Sequence, residues 1–576
     1  MIMGCEMKTI LKYIGKIILF FSKQVLQAIL VVIIFLAIIA GVFTATLTEY
    51  KKEVIVKKNS YLELDFSKEI VEKDRGELFE LEKTIELYEV LKGIKKAAKD
   101  PNIDGIYMDI DNIKLSANNI EEIGEGLDDF KKNGKKVYAF SRNINNQNYR
   151  LAIYATKIIM PPIQSSSINL SGYYKEFNYF KNLADYVGIK FNVIHIGDYK
   201  AYGEQYSKEK MSGEFKKDIK RVYDRIYSDR IEEISERRNI QKNLINNAIL
   251  DGELVMINSI YGKKIGIIDG FSYENDLEKN YKIERKISLK DYLTTIKVVE
   301  KPEKIALIYA SGDIVYQGST RNEDSIDIEK IKIELEKAEK NSEVKGIVLR
   351  VNSPGGSALA SEIIHHEISK ISKPIYVSMG GVAASGGYYI SAGATKIFAT
   401  KSTITGSIGV VSVIPEISGL IKKSMVNIEK IEKGRYSGIN SLTTNMTPGE
   451  IKKIKISSLG VYDEFKNRVS LGRHISLDKL ENIAGGRIWL GEEGVENGLV
   501  DEIGGLETTI KTLGKDLKLE DYQVVEIIEK KGIYEIMQKY KGLYGQIKSF
   551  IKAPIMIQST RFKLKTPLLF MPYELN

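Results

Sequence analysis

Residues 379–391 read MGGVAASGGYYIS, and within them Ser385 stands among alanines and glycines. A serine with neighbours this small can present its hydroxyl to a carbonyl carbon, so the chemistry to weigh is nucleophilic acyl transfer. The apolar run KPIYVSM before it reads as a strand, and SGGYYISAGA after it reads as a helix. That places Ser385 at a helix N-terminus, where the dipole favours negative charge. Gly386, next in the chain, is suited to give its N–H to an oxyanion. The same small residues also suit two closely packed elements, and this stretch alone does not choose.

A second stretch, RVNSPGGSALAS at 350–361, ends a strand, turns at Pro354 and opens a helix. Gly355 and Gly356 there expose backbone N–H groups that can hold a developing oxyanion. A tight strand-to-helix turn without a ligand fits equally well. A serine nucleophile also needs a base. The four histidines are His195, His365, His366 and His474. His365 and His366 are adjacent in a helical pattern and cannot both face one site, and none has a triad signature. A neutral lysine can serve, because burial lowers its reference pKa of about 10.4 by several units. With 85 lysines and arginines, composition selects none.

The elements around these residues are written twice. DGIYMDI (104–110) matches KGIVLRV (345–351), GKKVYAF (134–140) matches SKPIYVS (372–378), and ATKIIMPP (155–162) matches ATKIFATK (394–401). GDYKAY (197–202) matches GRYSGI (434–439), MSGE (211–214) matches MTPGE (446–450), and GKKIGIIDGF (262–271) matches VENGLVDEIGG (495–505). Six matches in constant order indicate two tandem copies of one domain, over 58–290 and 300–520. Short β-branched runs alternate with helical patterns, such as SALASEIIHHEISKI and a helix opened by a Thr447/Glu450 capping box. The fold class is therefore α/β with parallel strands.

Residues 1–23 are basic, and no charge interrupts the apolar run between Lys23 and Glu49. The run is long enough to cross a bilayer, so 24–48 is read as a transmembrane anchor. A cleaved signal peptide is the alternative, but its apolar part would span only about 7–15 residues. Lysines flank both ends, so charge does not set the orientation. The tail, 521–576, carries an amphipathic helical pattern from Ile533 to Phe550. Net charge is +9, with lysines and acids interspersed and no basic block, which argues against a nucleic-acid partner. The single cysteine, Cys5, excludes an intrachain disulfide.

VNSPGGSALASE, MGGVAASGGYYIS and TITGSIGV together resemble the bacterial signal peptide peptidase A (protease IV) family of membrane-anchored serine peptidases. The doubled domain and the anchor resemble its long form. The resemblance implies two tandem Clp protease/crotonase-like domains and a Ser-Lys dyad split between the copies. GDYKAYGEQYSKEKMSGE (197–214) matches the family's lysine motif, which assigns the general base to Lys200 and the nucleophile to Ser385. By the same resemblance Ser407 orients the lysine, and Gly356 and Gly386, with Gly355 beside them, form the oxyanion hole. Aligning the copies sets Ser437 opposite Lys200 and Asn146 (or Gln147) opposite Ser385, so one composite site per chain follows. The first copy has IDNIKLSANN in place of the glycine loop.

No metal or cofactor is implied. The implied substrates are remnant signal peptides, cut at the membrane by a homotetramer on the outer face of the bacterial cytoplasmic membrane, with lipid met through the single-pass anchor. Two rivals share part of the pattern: a crotonase-like acyl-CoA enzyme, and a non-enzymatic membrane scaffold on a decayed peptidase.

Overall fold

The computed structural model describes residues 54–73, 84–297, 299–316, 325–528 and 568–570, together with Leu30, Ile33 and Ile34. Contacts divide the chain into two units, 1–56 and 57–576. Among the described residues no helix is long and apolar enough to cross a membrane. The anchor read over 24–48 lies outside them, apart from Leu30, Ile33 and Ile34, which are helical. The amphipathic helix read from Ile533 to Phe550 also lies outside the described residues.

The first half of the large unit runs β1 (Ser60–Asp65), α1 (Leu87–Lys99), β2 (Ile103–Asp109), α2 (Ala117–Lys131), β3 (Lys136–Phe140), α3 (Asn146–Ala152) and β4 (Lys157–Met160). It continues through β5 (Lys190–Ile196), α4 (Gly213–Arg238), β6 (Gly270–Phe271) and β7 (Arg285–Ser288). Six of its strands form a parallel sheet in the order β6-β4-β3-β2-β1-β7.

The second half runs β8 (Lys304–Ser311), β9 (Val344–Ser353), β10 (Gly355–Ser357), α5 (Ala358–Ser369), β11 (Ile375–Ala384), α6 (Gly386–Ser391) and β12 (Lys396–Ala399). Then come β13 (Ile404–Gly406), β14 (Val410–Glu416), α7 (Pro448–Arg473), β15 (Ile488–Leu490), β16 (Glu502–Ile503), β17 (Gln523–Glu526) and β18 (Leu568–Phe570). The path β16-β12-β11-β9-β8-β17 is again parallel throughout. Strand for strand it repeats the order of the first sheet, so the internal similarity of the sequence is a similarity of topology. The sheet takes in Gln523–Glu526, past residue 520.

The strands have near-continuous apolar runs because helices cover both faces. Ile305, Ala306, Leu307 and Ile308 on β8, and Val348 and Leu349 on β9, are all fully buried. Each of the larger aliphatic side chains contributes about 1.5–3 kcal/mol on burial. Thr447 caps α7 with Glu450 returning the bond, as the sequence predicts. The equivalence of the copies extends to single side chains. Tyr149 on α3 donates to the Ile267 carbonyl at 3.1 Å, and Tyr388 on α6 donates to the Leu499 carbonyl at 2.9 Å.

Two local features differ from the sequence reading. The strand before Ser385 does not stop at Met379 but runs to Ala384. Its first part pairs with β12, and β13 then takes over at Val382–Ala384. Gly355 and Gly356 do not sit at a helix N-terminus either. They form β10, whose neighbours are Asp313–Val315 on one side and β18 on the other. Ser357, after them, caps α5.

Candidate active site

Ser385 follows β11 directly and is the N-cap of α6, with φ 56° and ψ −116°. This is a strained elbow for a non-glycine residue, and it persists because its surroundings fix it. Its N–H donates to the Gly406 carbonyl at 2.8 Å, and its carbonyl accepts from Tyr389 in the first turn of α6. The side chain has no solvent exposure.

Lys200 follows β5, which pairs antiparallel with β14 over seven residues, from Val410↔Ile196 to Glu416↔Lys190. That pairing joins the first half of the chain to the second and carries Lys200 into the site. Its Nζ lies 2.6 Å from Ser385 Oγ, 2.8 Å from the Ser407 carbonyl oxygen and 3.0 Å from Ser407 Oγ. Lys200 is 1% exposed. Burial holds its ammonium well below the ordinary lysine range. None of its hydrogen-bond partners is a carboxylate, so no neighbouring charge offsets that desolvation.

Ser407 is itself in the left-handed region, with φ 52°, and its N–H donates to the Arg487 carbonyl at 2.6 Å. Gly356 has φ +154°, and a Cβ there would lie 2.1 Å from the Ile314 carbonyl oxygen. Only glycine fits this approach of β10 to its neighbour. A Cβ on Gly386 would lie 3.1 Å from Gly356 N, so the two glycines pack closely, next to Ser385. The Gly355 N–H is turned away, donating to Ser353 Oγ at 3.1 Å.

The structure thus brings Ser385, Lys200 and Ser407 into hydrogen-bond contact and sets Gly356 and Gly386 beside them. Of the histidines, His365 packs edge-on against Tyr389, His195 is exposed beside the Gly197 carbonyl, and His474 caps α7. Lys208 pairs with Glu204. In the first copy, Asn146 Nδ2 donates to Ser171 Oγ at 3.3 Å and to the Gly172 carbonyl at 2.8 Å. Gln147 donates instead to the Leu115 carbonyl, and Ser437 is exposed. The tyrosine correspondence, Tyr149 to Tyr388, sets Asn146 rather than Gln147 opposite Ser385.

Two groups escape sequence reasoning. Arg350, fully buried on β9, donates to Glu72 through Nε (2.9 Å) and Nη2 (3.0 Å), and to Glu122 on α2 at 2.5 Å. An arginine inside the apolar run KGIVLRVNS is a legible signal, but its partners are more than 200 residues away. The other is the turn Gly485–Gly486–Arg487, which packs on the Lys200 loop.

The fold and its relatives define the class: a serine peptidase built from tandem Clp protease-like domains. Residues 303–411 match the Clp protease model. The chain belongs to Peptidase family S49, whose model matches residues 129–288 and 367–520. It is 31% identical over 512 residues to Protease 4 of Haemophilus influenzae, covering 81% of this chain and 82% of that protein. It is 29% identical over 467 residues to the chloroplastic serine protease SPPA of Arabidopsis thaliana, covering 77% of this chain and 68% of that one. A putative signal peptide peptidase SppA of Enterococcus faecium is 42% identical over 196 residues, 34% of this chain and 57% of its own length.

Proposed function

We propose that the chain is a membrane-anchored serine endopeptidase that uses a Ser385–Lys200 dyad to degrade remnant signal peptides. The observation that carries the reading is the buried Lys200 amine, 2.6 Å from Ser385 Oγ with no carboxylate partner. A neutral amine has two N–H bonds and one lone pair. The two N–H groups suit the Ser407 carbonyl and hydroxyl oxygens, and the lone pair then faces the Ser385 O–H. Lys200 takes that proton as Oγ attacks a peptide carbonyl. The Gly356 and Gly386 amides hold the oxyanion. The Lys200 ammonium protonates the leaving amine; neutral Lys200 then takes a proton from a water as its oxygen attacks the acyl carbon, and returns that proton to Ser385 Oγ as the Oγ–acyl bond breaks.

A peptide substrate is supported by the neighbouring strands. β10 and β14 are not paired to each other, and the extended segment β18 runs antiparallel to both: Gly355↔Phe570, Gly356↔Leu569 and Val411↔Leu568. A strand added between β10 and β14 supports a substrate with an extended peptide backbone, rather than an acyl-CoA. The signal-peptide substrate, the anchor over 24–48, the outer-face location and the homotetramer rest on the apolar run and on the family resemblance.

The test compares the full-length protein with Ser385→Ala and Lys200→Ala on a synthetic apolar signal-peptide fragment in detergent. Both variants should lose at least about 10³-fold in kcat. Full activity in Lys200→Ala would remove the dyad, and full activity in Ser385→Ala would remove the assigned nucleophile.

A further inference from the structure

The turn Gly485–Gly486–Arg487 precedes β15 and belongs to the second repeat, yet it touches both sides of the composite site. On the lysine side, the Gly485 carbonyl accepts the Tyr199 N–H at 2.9 Å. A Cβ on Gly486, which has φ +84°, would lie 2.5–2.6 Å from Lys200 N, Cα and Cβ. On the serine side, the Gly486 N–H donates to the Ile408 carbonyl at 2.8 Å, and the Arg487 carbonyl accepts the Ser407 N–H at 2.6 Å. The Arg487 side chain then returns to the lysine loop. Its Nη2 donates to Tyr199 OH at 2.5 Å, and its guanidinium carbon stands 4.0 Å from the centre of the Tyr199 ring.

One residue therefore holds Ser407 with its main chain and, with its side chain, the residue before Lys200. We propose that Arg487 is a positioning residue for proton transfer between Lys200 and Ser385, locking the lysine loop of the first repeat to the Ser407 segment of the second. The proposal rests on the dyad reading above. Two contacts from one group, a cation over the ring face and a hydrogen bond to the hydroxyl, suit the wide, multi-donor guanidinium better than the single ammonium of lysine. Proton transfer is sensitive to this registration, since displacement of about 1 Å can cost 10²-fold in rate.

The charged groups on the elements packed around Lys200 are few. Arg487 is on the turn. Asp218 and Arg221 on α4 pair with each other at 3.0 Å. Glu204 and Lys208 pair at 2.7 Å. His195 and Asp198, on the strand and loop leading to Lys200, are exposed. Loosening the Tyr199–Arg487 tie admits water to Nζ and removes desolvation from the lysine, so its pKa climbs back toward the ordinary range.

The experiment measures kcat, KM and their pH dependence on the full-length protein in detergent, for Arg487→Ala, Arg487→Lys and Tyr199→Phe. Arg487→Ala should lower kcat about 10- to 100-fold near neutral pH with KM little changed. Its acid limb should move to higher pH, so that part of the loss is recovered in alkali. Arg487→Lys keeps the charge without the fork, and Tyr199→Phe keeps the ring without the hydroxyl. Both should shift the limb in the same direction by a smaller amount. Should Arg487→Ala fail to fold, these two variants decide. An acid limb that stays in place in every folded variant overturns the proposal, whatever the loss of rate. Lys200→Ala in the same assay separates the two readings. If it keeps full activity, the dyad is wrong; if it is inactive while the Arg487 and Tyr199 variants keep the wild-type limb, only the positioning role is wrong.

Discussion

Lys200 Nζ lies 2.6 Å from Ser385 Oγ although 185 residues separate them in the chain. The lysine is delivered by β5, a strand of the first copy that pairs with β14 of the second. The site exists only where the two copies meet, so contacts far from the chemistry bear on the rate. The same geometry makes the lysine's titration the property to measure first. Burial alone lowers its pKa, and in the proposed dyad the neutral form is the active one. The value of kcat/KM should therefore rise with pH through the lysine's depressed pKa and reach its plateau well before pH 10.5. A limb at the ordinary lysine position would show that the amine is hydrated in the free enzyme.

The same depressed pKa is a cost to stability. Between the folded pKa and the unfolded value of 10.5 the unfolded chain binds a proton that the folded chain does not, so stability at this site rises with pH. Lys200→Met removes the cost while nearly preserving volume. It should abolish activity and raise the unfolding free energy at pH 7 by roughly 1 kcal/mol or more, with the gain shrinking toward high pH. Urea unfolding at several pH values measures this. A destabilised Lys200→Met would mean that the bonds of Nζ to Ser407 outweigh its desolvation.

Ser407 offers Nζ both a carbonyl and a hydroxyl oxygen. Ser407→Ala removes only the hydroxyl and keeps the carbonyl bond, so the amine stays near Ser385 but is less well oriented. The expected result is a fall of about 10-fold in kcat with KM within a factor of about two. An equal rise in KM would instead place Ser407 in substrate binding.

Much of this is legible in the sequence. The parallel strands and the Thr447 cap rest on patterns within a few residues of one another, and the repeats on short segments that match in constant order. The elbow at Ser385 is visible as a cluster of small residues, yet its role stays open until the family motif supplies Lys200. What stays hidden depends on contacts between the copies. Nothing local to Gly486 announces that a Cβ would meet Lys200, and nothing local to Glu72 or Glu122 announces Arg350. The glycine loop is recognisable, but its form is not: β10 is a strand because Asp313–Val315 lies alongside it, a pairing that no local pattern reveals.

Gly356→Ala tests that strand. The added Cβ would meet the backbone of Ile314, which cannot yield as a flexible side chain would. The variant should lose about 1–3 kcal/mol from backbone strain and most of its activity, as β10 shifts away from Gly386. Normal activity with a normal unfolding midpoint would show that β10 can retreat from Ile314 without moving the amides, and that residue 356 need not be glycine.

Arg350 tests how the copies are held together. Its guanidinium is fully buried between Glu72 and Glu122, which come from the first half of the chain, while its own strand, β9, leads directly to Ser353 and β10. Burial pushes the Glu122 carboxyl up even against the pull of Arg350. Arg350→Met strands two buried carboxylates and should cost about 3–5 kcal/mol near neutral pH. The sign of the pH dependence is set by Glu122: without the arginine its desolvation is less opposed and its folded pKa rises further above the unfolded one, so the penalty is full at high pH and eases as it protonates on acidification. Adding Glu72→Gln and Glu122→Gln to Arg350→Met should recover most of the loss at about pH 8 and little at about pH 5. Because β9 carries the chain into the glycine loop, activity should fall in Arg350→Met and return with stability in the triple variant. Recovery of stability without activity would mean that the arginine aligns the loop directly, through its bonds to Ser378 Oγ (2.9 Å) and the Met379 carbonyl (3.2 Å), rather than by holding the two copies together.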